Sequence, residues 1–275
     1  MLLLLDDAAQ NKKTPLHLAA QNGHADIVSL LISSGANVSQ ANQVLYDTVL
    51  MSSNRLNEPL HSAAQNGHIE VVSLLISAGA KVNQVDHNEQ TPLHLAAQSG
   101  LKNCVLLLIS AGANGNQADS LGHTPLHLAP QYGDTSIVSL LILTGANVNQ
   151  VNKHEQIPLH LAVQNSHVDV ACLLILAGAN VNQANTDKQT SLHLATEIGE
   201  IGHRDIVSLL NSAGANVNQA YQDKQTLLHL AAQNGAANIV SLLILAGANV
   251  NQANRNLQTP LHLAIEKAIQ ILLCC

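Results

Sequence analysis

The stretch Thr14-Pro15-Leu16-His17-Leu18-Ala19 decides the fold, because it comes back. It returns as Glu58-Pro59-Leu60-His61, Thr91-Pro92-Leu93-His94, Thr124-Pro125-Leu126-His127 and Ile157-Pro158-Leu159-His160. It continues as Thr190-Ser191-Leu192-His193, Thr226-Leu227-Leu228-His229 and Thr259-Pro260-Leu261-His262. Successive starts lie 33 residues apart five times, with one step of 44 and one of 36. A fixed period of this length belongs to stacked supersecondary units, each touching only its neighbours, and not to one large globule.

Each unit reads as two helices and an extended loop. Thr at the first position is a good N-cap, since its hydroxyl accepts an orphan N–H. Proline follows at N1, where its missing donor and fixed φ are harmless, and six of the seven prolines stand there. A glycine (Gly23, Gly67, Gly100, Gly133, Gly235) then supplies a left-handed cap to the first helix. The second helix is an apolar block such as Asp26-Ile27-Val28-Ser29-Leu30-Leu31-Ile32, closed by a second glycine at 35, 79, 112, 145, 178, 214 and 247. Nearly all its faces are apolar, which predicts burial by neighbours on both sides. The polar stretch after it, for example Asn83 to Gln90, predicts a hairpin leading to the next unit. Helices packing at ~8–10 Å would make eight units an array on the order of 70–80 Å long.

Composition agrees with many small cores. The chain of 275 residues has no Phe, no Trp and only three tyrosines, Tyr46, Tyr132 and Tyr221, while 47% of it is hydrophobic. One large core without aromatic rings would be hard to fill.

These residues resemble the ankyrin repeat, whose signature is T-P-L-H-x-A at a period of 33, and the resemblance covers roughly residues 9 to 262. It implies an all-α solenoid of helix-turn-helix units joined by β-hairpin loops. The units are then an N-terminal segment 1–8, repeats at 9–41, 53–85, 86–118, 119–151, 152–184, 185–220 and 221–253, and an incomplete repeat at 254–275. An inserted loop occupies 42–52.

The resemblance also implies where function sits. In the family the signature histidine bonds the turn of its own unit and reaches toward the next. Partners contact the hairpin tips and the exposed end of the first helix. Carried onto this chain, the partner-binding candidates at the tips are Arg55, His87, Asn88, Leu121, His154, Asp187, Asp223 and Arg255. Tyr46 in the insertion, Tyr132 at the end of a first helix and Tyr221 opening a hairpin are expected on the same side, as anchors. The first-helix positions form an amide ladder (Gln21-Asn22, Gln65-Asn66, Gln98-Ser99, Gln164-Asn165, Gln233-Asn234). That ladder reads either as undiverged repeats or as a surface for an extended polar partner.

Several function classes fall away. Lys and Arg number 11 against 18 acids, a net charge of −7, which lacks the basic footprint of a nucleic-acid binder. There is no apolar run of membrane-spanning length, and Met1–Leu5 stops at Asp6, too short for a signal peptide. The cysteines Cys104, Cys172, Cys274 and Cys275 show neither metal nor disulfide spacing, as expected in a reducing cytosol. Eight of the 15 histidines belong to the signature, one per unit, so they do not converge on a metal. His24, His68, His167 and His203 recur at the start of the second helix and read as structural. No P-loop, dinucleotide fingerprint, HExxH or nucleophile elbow is present. The expectation is therefore no catalytic residue, no cofactor and no metal.

Three departures carry expectations of their own. The tip glycine survives only as Gly122, with Lys12, Leu56, Glu89, Glu155, Lys188, Lys224 and Leu257 elsewhere, which predicts a different turn or mobile tips. Pro130 stands inside a first helix and should bend it. The last unit lacks its inter-helix turn and finishes Ile-Leu-Leu-Cys-Cys, which leaves apolar surface for a partner or a second copy to cover, or marks a fragment of a longer chain. The reading is a non-catalytic cytoplasmic (or nuclear) scaffold that binds protein through tips and first-helix face. Its alternatives are a recognition or targeting adaptor in a larger assembly, and a membrane-tethered scaffold using Cys274 and Cys275.

Overall fold

The computed structural model describes residues 13–42, 57–198 and 203–273, with backbone alone for Gln131, Tyr132 and 271–273. Expectations for Met1–Leu5, Tyr46, Arg55, Cys274 and Cys275 lie outside the described residues. The chain forms two units, Met1–Asn147 and Val148–Cys275.

The first unit is a series of antiparallel helix pairs: α1 (Pro15–Gln21) with α2 (Ala25–Ser33), α3 (Pro59–Asn66) with α4 (Ile69–Ser77), and α5 (Pro92–Gln98) with α6 (Lys102–Ser110). It ends with α7 (Pro125–Leu128), a 3-10 turn (Ala129–Tyr132) and α8 (Thr135–Leu143). The second unit has α9 (Pro158–Gln164) with α10 (Val168–Leu176), α11 (Ser191–Ile198) with α12 (His203–Ser212), and α13 (Leu227–Asn234) with α14 (Ala237–Leu245). It closes on one longer helix, α15 (Pro260–Leu273). First helices pack on first helices and second on second in both units: α1 on α3 on α5, α2 on α4 on α6, α9 on α11 on α13, α10 on α12 on α14. Among the described residues the loops carry only one isolated β-bridge, Ala184 with Thr190.

The core explains the missing aromatic rings. The signature leucines Leu60, Leu93, Leu126, Leu159 and Leu192 are fully buried, and behind them Ala63-Ala64 and Ala96-Ala97 are at most 1% exposed. Paired alanines let adjacent first helices approach closely, leaving thin layers that Leu, Val and Ala fill at interior density. Gly23 shows how tight the turn is: its φ is +75°, and a Cβ there would lie 2.5 Å from the His68 ring.

One expectation needs correcting, and the burial of the second helices has a limit. They are covered by neighbours on both sides, as in α4 and α12, but not all round. Leu30 is 66% exposed, Leu143 83%, Leu176 78% and Leu245 83%. In α4 and α12 neighbouring second helices cover the two flanks and the first helix covers the inner face, and the outward line of each second helix faces solvent whatever its hydropathy. The tips, too, keep the left-handed turn without glycine: Glu89, Glu155, Lys188 and Leu257 have φ between 56° and 62°, at the position where Gly122 has 80°. Pro130 acts as expected. With no N–H to bond back one turn, α7 stops after four residues and the chain continues as a 3-10 turn.

Candidate protein-interaction surface

Five hairpin tips are built on a buried acid or amide, while Tyr221 holds the same position in the 221–225 tip. Oδ1 of Asp86 accepts the N–H groups of Asn88 and Gln90, both at 2.8 Å. Asp119 does the same for Leu121 and His123, Asn152 for His154 and Gln156, Asn185 for Asp187 and Gln189, and Asn254 for Asn256 and Gln258. Each of these Asx residues is 4–6% exposed. The signal was available, since Asx recurs four residues before Gln or His at these five tips. Burial pushes the Asp119 carboxyl up, but hydrogen bonds from His123 and from the Leu121 N–H outweigh it and hold the group below its ordinary range.

This closure turns the residues that follow outward. His87, Asn88 and Leu121 are exposed in the first unit, and His154, Asp187, Asp223 and Arg255 in the second. Neighbouring tips are also bonded together: Ser120 N–H donates to the Asn88 carbonyl at 2.8 Å, Thr186 N–H to His154 at 3.0 Å and Arg255 N–H to Asp223 at 2.7 Å. Asp223 and Arg255 further form an exposed ion pair at 3.0 Å, so neither presents a free charge. Leu257, 83% exposed beside Arg255, is an apolar tip residue that the sequence reading left out.

Tyrosine does not behave as a set. Tyr221 is half-buried and packs edge-on against the His193 ring with centroids 5.1 Å apart. Its ring therefore supports the stack, with part of its surface still open to solvent. Tyr132 lies in the 3-10 turn after Pro130, where backbone alone is described.

The signature histidines are structural. Thr91 N–H donates to Nδ1 of His94 at 3.0 Å with the Thr91 hydroxyl 2.8 Å from the same nitrogen, while Nε2 faces the His123 carbonyl at 3.1 Å. Nε2 must carry the proton, because only it faces a carbonyl acceptor. The same pair of bonds, a backbone N–H to Nδ1 and Nε2 to a carbonyl, joins His17 to Asn57, His61 to Gln84 and Gln90, His160 to Gln183, His193 to Gln219 and His229 to Gln258. Burial pushes His61, His160 and His193 down to about 4, so the rings are neutral. Of the histidines that start second helices, His68 donates to the Gln21 carbonyl at 3.0 Å and His203 lies 3.1 Å from the Ser166 hydroxyl. Among the described residues no group of three His, Cys, Asp or Glu is placed to hold a metal. Burial pushes the Cys104 thiol up, away from thiolate chemistry.

The first-helix amide ladder divides in two. Asn22, Asn66 and Asn165 each turn Nδ2 back onto a carbonyl four residues earlier at 2.7–2.8 Å, and so spend themselves on their own helix ends. Gln65, Gln164 and Gln233 remain exposed. A second asparagine ladder runs past the ends of the second helices. Asn83 Nδ2 donates to the Gly112 carbonyl at 3.1 Å while its Oδ1 accepts from Asn114 N–H at 2.8 Å, stitching one unit to the next. Asn116 (to Gly145 and Asn147), Asn149 (to Gly178 and Asn180), Asn182 (to Gly214 and Asn216) and Asn218 (to Gly247 and Asn249) repeat it.

Comparison with known proteins gives the same architecture. A family model of ankyrin repeats in three copies matches residues 43–119, 109–185, 126–221 and 192–275, and a single ankyrin repeat model matches 11–43. The crystal structure of the human ASB11 ankyrin repeat domain is similar, with a TM-score of 0.71 at 26% identity, covering 86% of this chain and 99% of that one. No curated protein matches the sequence. No described helix is long and apolar enough to cross a membrane. Ankyrin repeats are generally protein–protein interaction modules. With the signature bonded alike in successive units and family matches running from residue 11 to 275, the chain belongs to the ankyrin-repeat family.

Proposed function

We propose that this chain is a non-catalytic scaffold that holds a protein partner along its hairpin tips and first-helix face. One observation carries the reading: buried Asx residues and tip-to-tip backbone bonds preset the exposed tips, so binding orders little new chain. His87, Asn88, Leu121, His154, Asp187, Asp223 and Arg255 supply the contacts, with Tyr46, Arg55, Tyr132 and Tyr221 as further positions of the same reading. Charges of both signs along the tips suit a protein surface better than a polyanion. The repeat boundaries given above, a cytoplasmic or nuclear setting and an adaptor role in a larger assembly are narrower parts of this proposal. A lipid tether on Cys274 and Cys275 is a separate reading, decided by the mass of the native C-terminus.

The test compares affinity capture from native cells by the wild type and by Leu121→Ala/His154→Ala/Asp187→Ala. All three positions are exposed, so helicity should be unchanged. Loss of a reproducible partner supports the reading, and equal capture by the triple variant rejects it.

A further inference from the structure

The slot that a second helix fills in the earlier pairs stands open beside α14 and α15. It is a groove of about 650 Å³ lined by α13, α14, the 250–251 turn and α15. Its geometry has internal precedents. The space between α10 and α11 holds α12, whose Ile206, Val207 and Leu210 are fully buried, and the space between α12 and α13 holds α14, with Ile239 and Leu243 at 2% and 0%. No described helix follows α15 to do the same. The consequence is local: Val207 is 0% exposed but its counterpart Val240 is half-buried, and Val217 is 8% exposed where its counterpart Val250 is 45%.

The groove also has an unused polar rung. Asn251 lines it at the position of Asn182 and Asn218, and its side chain has no bonding partner among the described residues. An occupant that presents a Gly carbonyl and an Asn N–H after its helix would complete both bonds. Lys267 lines the groove from α15 and adds a cation. The second helices α2, α4, α10 and α12 each carry an acid in their first turn. Apolar surface, amide rung and charge together specify one kind of ligand.

We propose that this groove docks a single amphipathic helix with the chemistry of a second helix of the repeat. It has an acid in its first turn, adjacent β-branched residues, a leucine one turn later and Gly-Ala-Asn after its end. The site does not depend on the hairpin tips. A single helix fits better than a second copy's stacked pair, because α15 already fills the first-helix place.

The probe is a fluorescein-labelled peptide of residues 203–219, which carries Asp205, Ile206, Val207, Leu210, Gly214 and Asn216, titrated with the full chain by anisotropy. Saturable binding is expected. Val240→Asp should weaken it more than about tenfold, since a carboxylate would be buried without a partner. Asn251→Ala, at an exposed position that leaves folding intact, should weaken it about fivefold through lost hydrogen bonds. Lys267→Glu should weaken it as well, with recovery when the peptide carries Asp205→Lys. Absence of saturable binding, or equal binding to the Val240 and Asn251 variants, overturns the proposal. Sedimentation showing a dimer that excludes the peptide and disappears in Val240→Asp also overturns it, in favour of a second copy.

Discussion

Asn83 and Gly112 stand 29 residues apart in sequence and 3.1 Å apart as donor and acceptor, with the Asn83 amide also accepting the Asn114 N–H. One short side chain thus satisfies two backbone groups of the next unit, which a stack needs wherever second helices end. The apolar layers give cohesion, and the amide rung fixes register.

The first unit supplies a test of that rung. Ser39 holds the position of Asn83 and makes no side-chain hydrogen bond to the following pair among the described residues. Ser39→Asn should reach the Gly79 carbonyl and Lys81 N–H and raise stability by about 1 kcal/mol in urea unfolding. Asn83→Ala should lower it by a similar amount.

Glu58 occupies a cap where most units have Thr. It is 4% exposed, its Oε2 has no partner, and burial pushes it up to about 7, with Lys81 opposing. The folded pKa lies above the ordinary 4.5, so its stabilising contribution is complete below about 4.5 and is lost as pH rises through about 7. Glu58→Thr should therefore gain on the wild type between pH 5 and 8, by on the order of 2 kcal/mol at the upper end. A constant difference across that range would refute the assignment.

The buried imidazoles act in the opposite sense. His61, His160 and His193 titrate at about 4 in the fold against an ordinary 6.5. Their contribution is complete above 6.5 and disappears as pH falls through about 4. Denaturant unfolding should show stability falling across this window, with net proton uptake on unfolding even after the opposite contribution of Glu58. Flat stability from pH 6.5 to 5 would contradict neutral, buried rings.

Pro130→Ala should let α7 run to full length, because alanine stands at the matching positions Ala64 and Ala97. The thermal midpoint should rise with ellipticity at the helical band, by up to about 3 kcal/mol of stability. An unchanged midpoint would show that the 3-10 turn is not strained.

Leu257 sits at φ 60° and is 83% exposed, a β-substituted residue where Gly122 serves elsewhere. Leu257→Gly should stabilise by about 1 kcal/mol, relief of the left-handed strain exceeding the added chain entropy. Calorimetry at fixed pH reads it directly.

The sequence by itself determined the units. Proline at N1, left-handed glycine caps and the Thr–His cap act within a few residues, so the period, the helix pairs and the all-α class were legible at once. It also placed the tips, although the Asp86-type residues that hold them were overlooked. Only the tertiary structure decided which faces are covered. Leu176 and Leu75 are both apolar second-helix residues, yet one is 78% exposed and the other fully buried. Tyr221 became a prop for His193 and Asn83 a stitch to Gly112 through partners some 30 residues away. Burial and bonding of that kind belong to the neighbouring helix pair, so no local pattern encodes them. The open groove beside Val240 follows for the same reason: the residue is the one its counterparts bury, and what differs is only the helix beside it.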